Sequence, residues 1–104
     1  MTEPNPFELT ATLIDIPSVS FEEEAIVDYL HDRLKAVSWL DTSRVGNNLI
    51  ARTDMGKDVR LLLGGHTDTV PPNGNSTARI DGDTLWGLGA ADMKGGIAVM
   101  LSLA

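Results

Sequence analysis

Two short polar clusters in this sequence of 104 residues could do chemistry, and the first contains a histidine and an aspartate two positions apart. His66 and Asp68 lie in the stretch GGHTDTVP, directly after the run from Val59 to Leu63, which is apolar except for Arg60. Residues i and i+2 of an extended segment point the same way, so this carboxylate can reach the imidazole. A metal-bound histidine usually donates its other ring N–H to such an acceptor, which makes His66 a candidate ligand oriented by Asp68. The alternative is a hydrogen-bonded loop cap at the end of a strand.

The second cluster is GLGAADMKGG, residues 87–96, in which Asp92 follows a glycine-rich loop and precedes a helix. A carboxylate at such a junction can be the N-cap of the helix. It can also be a metal ligand on a loop whose glycines allow close approach. Gly95 and Gly96 near a helix start each cost about 1 kcal/mol relative to alanine, which indicates close packing or an unusual backbone.

Two helices are predicted ahead of these clusters. Asn5, followed by Pro6 and Glu8, has the residue types of a helix start, and Pro17 ends this first helix. The run Ser20-Phe21-Glu22-Glu23 predicts a capping box at the start of the second helix. The apolar stripe expected along the second helix comprises Phe21, Ala25, Ile26, Tyr29, Leu30, Leu34 and Val37.

Other residues capable of chemistry have simpler interpretations. His31 falls off the apolar stripe among charged residues, which favours a solvated surface histidine over a ligand. The run Glu22-Glu23-Glu24 lies in the first turn of a helix, where negative charge complements the helix dipole, and this is favoured over a catalytic role.

The remaining elements predict an α/β layered domain with helices on a sheet. A strand is expected over Val45–Arg52 and a second over Val59–Gly64, whose leucine run lacks alternation and is typical of a central strand. Asp81-Gly82 predicts a hairpin between Arg79-Ile80 and Asp83-Thr84-Leu85-Trp86. The glycine-rich residues 87–91 are expected to be irregular, and a last helix is expected from Lys94 onward.

Composition excludes several classes of partner and site. The net charge of −7 argues against nucleic acid or an anionic membrane surface as a partner. The sequence has no cysteine, so any metal must be bound by nitrogen and oxygen. The acidic stretch MTEPNPFE does not resemble a signal peptide, which makes a cytoplasmic location the expectation. The longest apolar run, IAVMLSLA, is far shorter than the roughly 20 residues of a membrane helix.

The two clusters, in this order and separated by a hairpin, resemble a known family. GGHTDTVP followed by DTLWGLGAADMKGG is similar to the co-catalytic zinc peptidases and deacylases, which include aminoacylases and certain carboxypeptidases. The resemblance covers nearly the whole chain. Within the family, HTDTVPPNGN and GDTLWGLGAADMKGGIAVML are most similar to desuccinylases. Leu88 replaces an arginine that is common in the family, at a position that is not a ligand.

The resemblance implies a role for each candidate residue. His66 would bind one zinc ion, Asp92 would bridge two zinc ions, and Asp68 would be the catalytic residue that orients His66. The Asp92–Met93 peptide bond would be cis. The implied reaction is amide hydrolysis of a small N-acylated amino acid by a metal-held water, with two zinc ions, or cobalt or manganese in their place. The full-length proteins are expected to be homodimers.

Residues 1–104 are expected to be the N-terminal part of the catalytic domain, without the lid and dimerisation domain or the C-terminal half. The family's remaining metal ligands and its general base follow later in its sequences, so this chain alone is expected to bind zinc weakly and not to hydrolyse amides. Other hypotheses are a different deacylase or aminopeptidase of the family, a non-catalytic relic or binding domain, and an unrelated α/β domain with coincidental motifs.

Overall fold

The computed structural model describes residues 5–104 and confirms the α/β class. Residues 1–4, at the start of the acidic N-terminal stretch, lie outside the described residues. In chain order the elements are α1 (Pro6–Ile14), α2 (Glu24–Lys35), β1 (Asp41–Val45), β2 (Asn48–Arg52), β3 (Arg79–Asp81), β4 (Thr84–Trp86), a turn with π-type hydrogen bonding (Ala90–Lys94) and α3 (Gly95–Leu103).

The core lies between the three helices. α1 packs against both α3 and the π-type turn, while α2 packs against the first pair of strands. Each helix contributes to one buried apolar cluster, which consists of Leu9, Leu13, Ile26, Val27, Leu30, Ile97 and Ala98. Burial of these side chains provides the main driving force for holding the helices together. Between residues 5 and 104, no helix is both long and apolar enough to span a membrane.

The predicted start of α1 is confirmed. The side chain of Asn5 accepts a hydrogen bond from the Glu8 amide at 2.8 Å, and Pro6 occupies the first turn. The helix ends at Ile14, three residues before Pro17, and it buries Leu9 on the core side.

The predicted capping box of α2 is wrong. α2 begins at Glu24 without a side-chain cap, and the Ser20 hydroxyl instead donates to Asp68 Oδ2 at 2.5 Å. The chain turns at Phe21, which has φ 73° and a 96% exposed side chain and therefore does not belong to the apolar stripe. This turn moves Ser20 away from the capping position. The rest of the stripe is confirmed in part, because Ile26 and Leu30 are buried whereas Ala25 is exposed.

The predicted strand Val45–Arg52 is confirmed only over Asn48–Arg52, because its first residues are the end of β1 and a turn. β1 and β2 pair antiparallel with Val45 opposite Asn48, and Gly46-Asn47 connects them. Gly46 has φ 61°, the left-handed conformation that such a two-residue turn requires.

The largest difference concerns Val59–Gly64, which was expected to be a buried central strand. The structure assigns no strand to this segment, and Leu61 and Leu62 are 83% and 87% exposed. A strand needs a neighbouring strand to satisfy its backbone groups. Among the described residues, β1 pairs with β2 and β3 pairs with β4, so neither sheet provides a partner for Val59–Gly64. The β part of the described chain is therefore two small sheets rather than one central sheet.

The hairpin predicted at Asp81-Gly82 is confirmed with a shift of one residue. Asp81 pairs with Thr84, so the turn consists of Gly82-Asp83 rather than Asp81-Gly82. The last helix, expected from Lys94, begins at Gly95. Of the residues 87–91 that were expected to be irregular, 87–89 precede the π-type turn, whereas Ala90 and Ala91 belong to it. Asp92 and Met93 in this turn have non-helical backbone angles.

Candidate metal centre

The ring of His66 lies between two carboxylates. Its Nδ1 is 3.1 Å from Asp68 Oδ1, and its Nε2 is 3.0 Å from Asp92 Oδ1. The side chains of Asp68, His66 and Asp92 are 39%, 49% and 87% exposed, so the group is open to solvent. The structure thus brings together the three residues that the sequence singled out.

The segment that carries His66 and Asp68 is attached to the residues just before α2. Val19 and Thr69 form an isolated parallel bridge, with Thr69 N donating to Ser18 O at 2.9 Å and Ser20 N donating to Thr69 O at 3.1 Å. The buried Ser18 hydroxyl donates to Thr67 O at 2.7 Å. These bonds fix the backbone on either side of Asp68.

Asp92 is carried by the π-type turn, and the Asp92–Met93 peptide bond is cis, as the resemblance implies. The turn starts after Gly89, which has φ 80°, and Lys94 N donates to Gly89 O at 2.8 Å. α3 starts at Gly95 with Lys94 as its N-cap, so Asp92 is not the helix cap.

Close packing explains Gly95 in the second cluster and Gly65 before His66. A Cβ on Gly95 would lie 2.7 Å from Ala90 O, which forbids a larger residue at this point of the turn. A Cβ on Gly65 would lie 2.6 Å from Cε of Met93. The thioether of Met93 also accepts from the His66 amide at 3.4 Å, which joins the two motifs beneath the site.

Lys94 has a role that the sequence did not indicate. Its side chain is 2% exposed, and Nζ donates to the main-chain oxygens of Leu13 and Ile16, both at 2.8 Å. Burial lowers the pKa of Lys94, while the nearby charge of Asp15 opposes that change. This lysine connects the turn that carries Asp92 to the end of α1.

Hydrogen bonds and neighbouring charges shift the pKa values of two of the three site residues. Desolvation lowers the pKa of His66, but the hydrogen bond to Asp92 and the contacts with Asp68 outweigh it, so the pKa lies above 6.5. The pKa of Asp68 lies below its usual value, chiefly because of the hydrogen bond from Ser20. With an acceptor at each ring nitrogen, the ring can donate from both nitrogens when it is protonated.

The donor set suits one shared metal ion. Two donors of a tetrahedral zinc ion, each about 2.0–2.2 Å from the metal, lie about 3.3–3.6 Å apart. The 3.0 Å between His66 Nε2 and Asp92 Oδ1 is a hydrogen-bond distance and is shorter than that spacing, so the two groups must move apart by a few tenths of an ångström to hold an ion. Asp68 occupies the other ring nitrogen, where it can hold the proton that a neutral histidine ligand keeps.

The site is nevertheless incomplete within residues 5–104. His66 directs one nitrogen to each carboxylate, so the three side chains do not converge on a common point, and this part of the chain has no cluster of three or more His, Cys, Asp or Glu that could hold a metal. His31 lies on α2 and also belongs to no such cluster. The three site residues border an open cleft of about 410 Å³, partly lined by residues 87–91.

Comparison with known proteins shows which family the chain resembles. The profile of Peptidase family M20/M25/M40 matches residues 62–104, which include both motifs. A protein of Mycobacterium tuberculosis with the provisional name succinyl-diaminopimelate desuccinylase DapE is 50% identical over 101 residues, 96% of this chain and 28% of its own length.

Two further relatives have the name succinyl-diaminopimelate desuccinylase, which in their case is not provisional. The succinyl-diaminopimelate desuccinylase of Corynebacterium glutamicum is 40% identical over 99 residues, 93% of this chain and 27% of its own length. That of Methylorubrum extorquens is 36% identical over 117 residues, 98% of this chain and 30% of its own length. The chain thus spans less than a third of the length of these relatives. By the match over residues 62–104 and the similarity of nearly the whole chain to these proteins, the chain is similar to Peptidase family M20/M25/M40.

Proposed function

We propose that the protein represented by this chain is a metal-dependent amide hydrolase, with His66 and Asp92 as metal ligands and Asp68 as the residue that orients His66. The observation that carries this proposal is the position of the His66 ring, with Nε2 3.0 Å from Asp92 Oδ1 and Nδ1 3.1 Å from Asp68 Oδ1. One nitrogen can bind a metal while the other keeps its proton, which is the usual arrangement of a histidine ligand.

Two zinc ions are the proposed cofactor, with cobalt or manganese as alternatives that accept similar ligands. When bound, such ions lower the pKa of a water molecule and polarise the amide carbonyl. Asp92 is suited to bridge two ions because its side chain is 87% exposed and only Oδ1 contacts His66. Asp68 holds the proton on Nδ1 and keeps the ring in place.

The proposed substrate is N-succinyl-LL-2,6-diaminopimelate, which would be hydrolysed to succinate and LL-diaminopimelate. The names of the relatives from Corynebacterium and Methylorubrum support this choice. The open cleft beside His66 can admit a small N-acylated amino acid. We further propose that residues 1–104 form the N-terminal part of the catalytic domain of a cytoplasmic homodimer.

The test uses the protein encoded by the complete gene, stripped of metal and reloaded with zinc. Succinate release from N-succinyl-LL-2,6-diaminopimelate is expected, and chelation abolishes it. His66→Ala and Asp92→Ala should lose both zinc retention and turnover, whereas His31→Ala should retain both. Full turnover by Asp92→Ala would contradict the assignment, and turnover of only N-acetylornithine would identify a different deacylase of the family.

The 104-residue chain alone should behave differently, because residues 5–104 contain no complete metal-binding cluster. A zinc site normally has three or four protein ligands, so calorimetric titration should reveal weak binding, with no release of succinate. Tight stoichiometric zinc binding would show that the chain supplies ligands beyond His66 and Asp92.

A further inference from the structure

We propose that Ser20 is a positioning residue of this site: its hydroxyl holds the Asp68 carboxylate in the orientation that directs Oδ1 at Nδ1 of His66. Because it assigns a role within the proposed metal centre, this inference rests on the proposed function. It adds a residue from the segment before α2, outside both polar clusters.

The two oxygens of Asp68 have different partners. Oδ2 accepts from the Ser20 hydroxyl at 2.5 Å, while Oδ1 lies 3.1 Å from His66 Nδ1. The terminal torsion of an aspartate is broad, so packing alone leaves the carboxylate free to turn. Asp68 is also 39% exposed, and water competes for both of its oxygens. A donor on Oδ2 therefore selects the rotation in which Oδ1 faces the ring.

Ser20 is itself held in the position that this role requires. Its amide donates to Thr69 O at 3.1 Å, and the chain then turns sharply at Phe21. The hydroxyl does not cap α2, whose first residue, Glu24, has no side-chain cap before it. Its other possible acceptor, Thr69 O, is 3.4 Å away, so Asp68 is the closer partner.

The expected consequence concerns the proton on His66. When the ring is neutral and free of metal, two acceptors at Nδ1 compete with Asp92 at Nε2 for its single N–H. The acceptors at Nδ1 are the Asp68 carboxylate and the main-chain oxygen of Asp68, which is 3.2 Å away. A fixed Asp68 favours the proton on Nδ1, which leaves the Nε2 lone pair available to a metal. Without the Ser20 hydroxyl, the Asp68 carboxylate can turn towards water and leave only the main-chain oxygen of Asp68 at Nδ1, so the population with the proton on Nε2 should increase.

The test is nitrogen-15 NMR of the histidine rings in the metal-free 104-residue chain, at a pH where His66 is neutral. The chain contains two histidines, so His31 provides an internal reference. Ser20→Ala should shift His66 towards the Nε2–H tautomer, whereas Ser20→Thr, which keeps a hydroxyl, should restore the original tautomer. In the protein from the complete gene, Ser20→Ala should weaken zinc binding about 10-fold.

Ser18→Ala is the matched control. The Ser18 hydroxyl donates to Thr67 O at 2.7 Å and supports the same backbone bridge, but it does not contact Asp68. Ser18→Ala should lower stability while leaving the His66 tautomer unchanged. If Ser20→Ala lowers stability in the same way and leaves the tautomer unchanged, Ser20 is only structural and the inference is wrong.

The tautomer is measured without metal or substrate, so it separates the two proposals. A shifted tautomer in Ser20→Ala together with a complete protein that hydrolyses nothing would support the positioning contact and reject the proposed function. An unchanged tautomer overturns the inference whether or not the protein hydrolyses an amide.

Discussion

The ammonium group of Lys94 donates to the main-chain oxygen of Leu13 at 2.8 Å, and the lysine side chain is almost completely enclosed. The same group donates to Ile16 O, also at 2.8 Å. Since Lys94 follows Asp92 by two positions, these bonds connect the end of α1 to the turn that carries a proposed metal ligand. The candidate site thus depends on a contact between opposite ends of the sequence.

Lys94→Met should destabilise the fold, because it keeps most of the side-chain volume and removes both donors. The carbonyl oxygens of Leu13 and Ile16 would remain buried, and hydrogen bonds to a charged group contribute about 1.5–3 kcal/mol. We expect the free energy of unfolding in urea to fall by about 1–3 kcal/mol. Lys35→Met is the control: Lys35 is 52% exposed and pairs with Asp32 on the surface, so its loss should change stability by less than about 0.5 kcal/mol. Equal effects of the two substitutions would contradict the buried role.

Local signals predicted the helices better than the strands. The start of α1 was predictable because Asn5, Pro6 and Glu8 act on neighbouring backbone groups. A strand depends on a partner that sequence spacing does not reveal, and Val59–Gly64 was therefore misinterpreted from its apolar composition. The residues Gly46-Asn47 are typical of a turn, but the predicted strand Val45–Arg52 runs through them.

The metal-free chain should show a pKa for His66 above 6.5. Desolvation acts against this shift, but the hydrogen bond to Asp92 and the contacts with Asp68 raise the pKa further. A raised folded-state pKa contributes stability that is complete below pH 6.5 and is lost as the pH rises through the folded-state pKa. Proton NMR titration with a chelator present measures the pKa directly.

Asp92→Asn tests the cause of this shift. It should lower the pKa of His66, and its destabilising effect in urea should be larger at about pH 5.5 than at about pH 9. Asp32→Asn removes a carboxylate that pairs with Lys35 on α2, and it should leave the His66 titration unchanged. A destabilisation by Asp92→Asn that does not depend on pH would show that the His66–Asp92 ion pair does not form.

The candidate site was predictable only where its contacts are local. His66 and Asp68 are two positions apart, and the geometry of an extended chain already relates them. Asp92 reaches His66 from 26 positions away, and only the family resemblance joined these residues. Ser20 reaches Asp68 from 48 positions away, and its sequence context suggested a helix cap instead. Lys94 had no signal at all, since lysine is rarely buried.

Gly89→Ala should lower the free energy of unfolding by more than the strain of a left-handed backbone alone would. Gly89 has φ 80°, and a Cβ there would lie 2.8 Å from Cγ2 of Thr69 and 3.3 Å from Cδ of Lys94. Gly56 is the matched control, with φ 65° and nothing within 4 Å of its Cβ position. Gly56→Ala should cost about 1–2 kcal/mol from backbone strain. Gly89→Ala should cost about 1–3 kcal/mol more because of crowding, as measured by urea unfolding. Equal costs would show that Thr69 and Lys94 move aside freely.

The apolar segment Leu61–Leu63 should make the 104-residue chain associate in solution. Leu61 and Leu62 are 83% and 87% exposed, and contiguous apolar surface of this kind drives association in water. The double substitution Leu61→Lys and Leu62→Lys should lower the average mass in sedimentation equilibrium and reduce binding of a hydrophobic dye. It should not reduce stability, since neither side chain lies in the buried core.

Met55→Lys provides the control for added positive charge. Met55 is 57% exposed, but it lies between Asp54 and Gly56 rather than in an apolar run. The added charge alone should therefore leave most of the association intact. If Met55→Lys disperses the chain as well as the double leucine substitution does, net charge rather than the apolar segment controls association. If neither substitution lowers the average mass, the contact lies elsewhere on the surface.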